Sequence, residues 1–152
     1  VPTAWDNRHI VTSTLGKKFG KTWELGLRWR YYGGVPYTPF NLGLTSQIPV
    51  WNVVGRGIPD FAQINTERTP AAHNLDIRID KKWFLEKWSL NLYLDIQNVY
   101  NFEAEVAPFV DVVRDAEGNP VVDPNNPNAY LVEQLPQFTG ALLPTIGIVI
   151  DL

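Results

Sequence analysis

Hydrophobic and polar residues alternate with a period of two along several stretches of the chain. From 74 onward, Leu75, Ile77 and Ile79 fall on one side, and Asn74, Asp76, Arg78 and Asp80 on the other. After a turn near Leu85-Glu86-Lys87, Trp88, Leu90, Leu92, Leu94 and Ile96 oppose Ser89, Asn91, Tyr93, Asp95 and Gln97. Successive side chains leave opposite faces of a pleated strand, so this period predicts a β-hairpin. Residues 22–32 repeat it, with Trp23, Leu25, Leu27, Trp29 and Tyr31 set against Glu24, Gly26, Arg28, Arg30 and Tyr32. The β-branched run at 8–18 supplies its hairpin partner, with Gly16 a candidate bend. The chain closes on Ile146, Ile148, Ile150 and Leu152 opposed to Thr145, Gly147, Val149 and Asp151.

Five strands are expected, near 8–18, 22–32, 74–84, 87–99 and 144–152. They are joined by short, long, short and long connections. The long ones, 33–72 and 102–142, are rich in Gly, Pro, Asn and Thr and sustain no helical periodicity. Within the second, 108–113 and 120–122 flank Asp115-Ala-Glu-Gly-Asn119 as a small hairpin. Structureless connections near forty residues are rare in compact soluble domains. Short turns at one end and long loops at the other are the rule in outer-membrane β-barrels. Such a barrel sets its apolar face on lipid, its charges in a wet lumen, and aromatic residues at both interfaces. Trp23, Trp83 and Trp88 gather at the short-turn end, and Tyr31 and Tyr100 at the other. The fold expected is all-β, an antiparallel transmembrane β-barrel segment.

Composition changes little in this picture. In 152 residues the net charge of -3 and the scattered bases give no basic patch for nucleic acid. Without cysteine there is no disulfide, thiolate metal site or thiol nucleophile. No run of about eighteen apolar residues predicts a transmembrane helix. The chain starts Val-Pro-Thr and holds no Met, which suggests a piece of a longer polypeptide or a mature chain whose beginning was removed. Five strands do not close a barrel, so further strands are expected upstream or in a second chain.

With the strands placed, five segments resemble the C-terminal end of a TonB-dependent outer-membrane receptor of the Bacteroidetes type. They are WDNRH at 5–9, YYGGVPYTP at 31–39, HNLDIRIDKKW at 73–83, LDIQNVYNF at 94–102 and the closing LPTIGIVIDL. The resemblance implies the last five strands of a barrel of about 22 strands. It implies a plug domain that is absent from this chain, energised by the TonB-ExbB-ExbD complex, and a surface lipoprotein as a further partner. The implied location is the outer membrane of a Gram-negative cell. The implied activity is nutrient import (siderophore, cobalamin, glycan or peptide). The family usually ends in an aromatic residue, whereas this chain ends in Leu152.

The site residues follow from that placement. Arg28, Arg30, Asp76, Arg78, Asp80, Asn91 and Asp95 would face the lumen, pairing across strands. Trp23, Trp83, Trp88, Tyr31 and Tyr100 would mark the interfaces, with Lys17, Lys18, Lys21, Lys81 and Lys82 lining the short-turn end near polar headgroups. Tyr37, Trp51, Phe61, Phe109 and Tyr130 are the loop residues expected to touch a ligand. Asp111, Asp115 and Asp123 could offer carboxylates to Ca²⁺ but match no EF-hand spacing, and His9 and His73 read as rim residues. No catalytic motif, cofactor or metal site is expected. Two alternatives keep the same alternation. One is a soluble β-sandwich or lipocalin-like binding module with the apolar face as its core. The other is a split-barrel subunit completing a partner chain.

Overall fold

The computed structural model describes residues 1–152. In chain order the elements are β1 (Ile10–Phe19), β2 (Trp23–Tyr32), β3 (Pro36–Tyr37), α1 (Leu42–Thr45), α2 (Ile48–Val54), a 3-10 turn (Phe61–Gln63), β4 (Glu67–Arg68), β5 (Ala72–Phe84), β6 (Ser89–Gln97), β7 (Ala104–Val112), β8 (Val122–Asp123), β9 (Asn126–Tyr130), β10 (Val132–Thr139) and β11 (Leu143–Asp151). Strand accounts for 55% of the residues and helix for 9%, so the fold is all-β. No helix is long and apolar enough to cross a membrane, which says nothing about strands. The chain divides into two compact units, 7–33 with 71–104 and 139–152, and 1–6 with 34–70 and 105–138.

The first unit is a five-stranded antiparallel sheet in the order β1-β2-β5-β6-β11. The five expected strands are present within about two residues of their predicted ends. Register carries the alternation across the sheet: Leu27 faces Ile77, Ile77 faces Ile96, and Arg28 faces Asp76. One face therefore holds Leu25, Leu27, Ile77, Ile79, Leu92, Leu94, Ile146 and Ile148. The other holds Arg28, Arg30, Asp76, Arg78, Asp80, Asn91, Asp95 and Gly147. Gly16 pairs with Gly26 in unbroken register, so no bulge accompanies the candidate bend there. The β1-β2 turn is closed by Gly20 at φ 62°, a left-handed conformation that glycine adopts without a Cβ clash. Both long connections leave from the same end of the sheet, where Tyr32 pairs with Ala72 and Gln97 with Leu143.

The second unit corrects the expectation of structureless loops. Residues 33–72 form α1, α2, the 3-10 turn and the β3-β4 pair, and residues 102–142 form β7 to β10. Asn41 caps α1 by accepting from the Leu44 N–H, and Asp60 caps the 3-10 turn through Ala62. Pro at the start of α2 and Gly55 in a left-handed conformation at its end fix that helix. Trp51, Val110, Val112 and Ala129 are its buried apolar residues, and the fully buried Thr45 accepts from the Ile58 N–H at 3.0 Å through its hydroxyl. Arg68 ties the unit together by donating to the Asp6 carboxylate, the Asp6 carbonyl and the Gly34 carbonyl. Of the small hairpin expected within 108–122 only the tip forms, with Arg114 opposite Pro120 and the Val121 N–H donating to the Val113 carbonyl, because its arms pair elsewhere, β7 with β10 and β8 with β9.

Candidate functional site

Asp76 is the hub of the sheet's polar face. Its position on β5 follows from the register that sets it opposite Arg28 on β2. Its Oδ2 accepts from Arg28 Nε at 3.0 Å, Arg28 Nη2 at 2.9 Å and Arg30 Nη2 at 2.9 Å. Its Oδ1 accepts from Asn74 Nδ2 and from the backbone N–H of Asn98, both at 3.0 Å. Asp76 is 5% exposed, and burial of a charge is tolerated where it is paired and hydrogen-bonded this completely. Asn98, at φ 52°, also brackets the Phe102 backbone, accepting from its N–H and donating to its carbonyl at 2.9 Å.

A second cluster lies further along the same face. Arg78 donates to both Asp80 oxygens at 2.8 and 2.9 Å, and Asn91 Nδ2 donates to Asp80 Oδ1 at 2.9 Å. The Arg78 guanidinium lies 3.9 Å from the centre of the Tyr93 ring, a cation–π contact. Tyr93 in turn covers Gly147, where a Cβ would collide with the ring, so any other residue there would have to displace Tyr93. Asp80 thus pairs along its own strand rather than with Arg28 or Arg30, because the register sets it opposite Glu24. A cleft of about 230 Å³ opens on this face between Thr14, Arg28, Asp76, Arg78 and Asp95.

In the second unit an open cleft of about 930 Å³ is lined by Phe40, Phe61, Phe109, Arg56, Asp111 and Arg114, among others. Gly57 shapes its floor, since a Cβ there would lie 2.7 Å from the Phe40 ring. Arg114 is 3.6 Å from Asp111, while Arg56 is exposed and makes no ion pair. Two guanidinium groups and three aromatic rings against one carboxylate suit a ligand with planar or ring surfaces and anionic or hydrogen-bonding groups. No group of three or more His, Asp or Glu side chains is placed to hold a metal.

The structure brings together two of the five loop residues expected to contact a ligand. Phe61, 73% exposed, and Phe109 both line the cleft. Trp51 does not reach a surface: at 7% exposure it is core of the unit, because α2 turns its indole inward. Tyr37 and Tyr130 are half-buried and stand outside the cleft lining. The Tyr37 phenol is pushed up from its ordinary value by burial, with Glu67 and Glu105 adding to the shift, and the Tyr130 hydroxyl donates to Asn52 at 3.3 Å.

No protein-family model matches the chain, and neither a curated protein nor a solved structure does.

The aromatic residues fall at the two ends of the sheet. Trp23 pairs with Lys81 and Trp83 with Leu90 at the short-turn end, where the Leu85 N–H donates to the Trp88 carbonyl. At the other end Tyr31 stacks on Trp29, and His73 Nδ1 lies 2.7 Å from the Tyr100 hydroxyl with its ring against Phe102. His73 is therefore a hydrogen-bonded strand-end residue. Asp115 is the acceptor of its own turn, taking the Asn119 N–H at 2.7 Å and the Glu117 N–H at 3.1 Å. Asn74 and Asn98 were not among the expected site residues. Asn74 carried a signal, since it alternates in phase with Asp76. Asn98 did not, because an asparagine after a strand reads as a turn former.

Proposed function

We propose that this chain forms consecutive wall strands of a transmembrane β-barrel, the C-terminal part of a TonB-dependent outer-membrane receptor that imports a nutrient. The observation that carries the reading is the inversion of the sheet's faces. Ile146 and Ile148 are 73% and 64% exposed and Leu15, Trp23, Ile79 and Trp83 are exposed beside them, while Asp76 is buried among its partners. A sheet in water would bury the apolar face and solvate the charges, whereas a barrel wall does the reverse.

Dimensions support it. Trp23 and Tyr31 stand eight residues apart on β2, about 27 Å along a strand, or about 21 Å of height at a tilt of about 40°. Trp83 and His73 on β5 give about 26 Å by the same reckoning, close to the apolar band of about 25 Å between aromatic girdles. β1 and β11 have one unpaired edge each, which further strands of the same or a partner chain would cover. In this reading the second unit belongs to the extracellular connections, and its Phe61-Phe109-Arg56 cleft contributes to ligand capture.

The test is the intact mass of the polypeptide carrying LDIRIDKKW in detergent-extracted outer membranes. A mass several times 17.3 kDa is expected for a single receptor chain. A membrane band near 17.3 kDa would favour the split-barrel subunit. Recovery only in the aqueous fraction would overturn the reading in favour of a soluble binding module.

A further inference from the structure

Cations are divided unevenly between the two ends of the sheet's apolar face. Toward the short-turn end that face carries Lys17, Phe19, Trp23, Lys81 and Trp83. Toward the other end it carries Val11, Trp29, Tyr31, His73 and Leu75, with no lysine or arginine. The acids of the strands (Glu24, Asp76, Asp80, Asp95 and Asp151) all lie on the opposite face. Lys17 and Lys81 therefore have no carboxylate beside them on their own face.

Lys81 is held in a defined position. Its Nζ donates to Thr22 Oγ1 at 3.0 Å and sits 4.6 Å from the centre of the Trp23 ring and 5.7 Å from that of Trp83. One ammonium N–H is used by Thr22, which leaves two to donate. A groove of about 350 Å³ leads away from it over Ile79, Leu92, Leu94 and Ile146, with almost entirely apolar walls. An ammonium group between two indoles, at the end of an aliphatic groove and with no acid nearby, fits a molecule with a phosphate joined to a hydrocarbon chain.

We propose that Lys81, between Trp23 and Trp83, is the headgroup site of a glycerophospholipid whose acyl chain lies along Ile79, Leu92, Leu94 and Ile146. The site rests on the membrane-spanning reading and adds to it a position-specific lipid contact. Its occupant is a lipid of the surrounding bilayer, because the groove matches the chain and the ammonium matches the phosphate. Lys81 would hold the phosphodiester by hydrogen bonds and charge, with no bond made or broken.

The test compares brominated phosphatidylglycerol with brominated diacylglycerol, which has the same chains and no phosphate. Each is introduced at equal mole fraction into vesicles containing the full protein, and tryptophan fluorescence is read. Stronger quenching by the phospholipid is expected. Native mass spectrometry from detergent should show retained phosphatidylglycerol, reduced about five-fold by Lys81→Gln, restored by Lys81→Arg and unchanged by Lys87→Gln in the exposed turn. Equal quenching by both lipids, or unreduced retention in a folded Lys81→Gln protein, would overturn the site while leaving the barrel intact. A protein that stays out of the vesicles would overturn the membrane reading and the site with it. Should Lys81→Gln fail to fold, the comparison of the two lipids on the unmodified protein decides.

Discussion

At the scale of single residues, the polar face is built on one carboxylate. Asp76 accepts five hydrogen bonds, two from Arg28 and one each from Arg30, Asn74 and Asn98. Truncating it strands two guanidinium groups and a backbone N–H. Asp76→Ala should destabilise the protein by about 3 kcal/mol, measured as a shift in the urea midpoint, with Arg28→Lys costing less because Arg30 and Asn98 still bind the carboxylate. Asp115 offers a test by pH. Hydrogen bonds from the Asn119, Glu117 and Gly118 backbone hold its carboxyl below the ordinary value of 3.8. A depressed folded value means that the turn is supported above pH 3.8 and loses that support as pH falls through the lower folded value. The Asn119 amide resonance should therefore stay in place from neutral pH down to the ordinary carboxyl range and move only below it. An Asn119 shift already complete near pH 5 would contradict the turn's hydrogen bonding.

At the scale of elements, each strand presents two unlike faces, and depth along the strand sets what a substitution costs. Leu27 lies midway between Trp23 and Tyr31. In a lipid-facing wall Leu27→Lys should cost about 2–4 kcal/mol and Leu90→Lys, level with Trp83, about 0–1 kcal/mol, read by unfolding in bilayers. Equal costs at the two sites would remove the depth dependence that lipid imposes. The same alternation is why β2, β5, β6 and β11 were legible in the sequence, each with nine or more residues in a period of two, while β1 was legible from its β-branched residues. The loop elements were not legible. α1 and α2 have four and seven residues, too few to establish a helical period. β7 and β10 each contain a proline, which argues against a strand although an edge position tolerates it. The ionic face was readable as a face, since Arg28, Asp76 and Arg78 keep their phase. Its pairing was not, because only the register decides that Asp80 meets Arg78 and Asn91.

At the scale of the whole molecule, a barrel wall requires the sheet's apolar side to meet lipid and its polar side to meet water. The expected loop ligand contacts divide on similar grounds. Phe61 and Phe109 line a cleft, but Trp51 was drawn into a local core, since α2 is too short to show which side its indole would take. The absence of cysteine makes the decisive experiment clean, since every introduced thiol is unique. Single cysteines at Leu25 and Ile148 on the apolar face, and at Gly26 and Val149 on the polar face, would each carry a nitroxide label in vesicle-reconstituted protein. Labels at 25 and 148 should collide with oxygen dissolved in the bilayer and escape an aqueous nickel chelate. Labels at 26 and 149 should show the reverse. Apolar-face labels shielded from both reagents, or reached only by the chelate, would contradict the barrel wall and place that face in a protein core or in water.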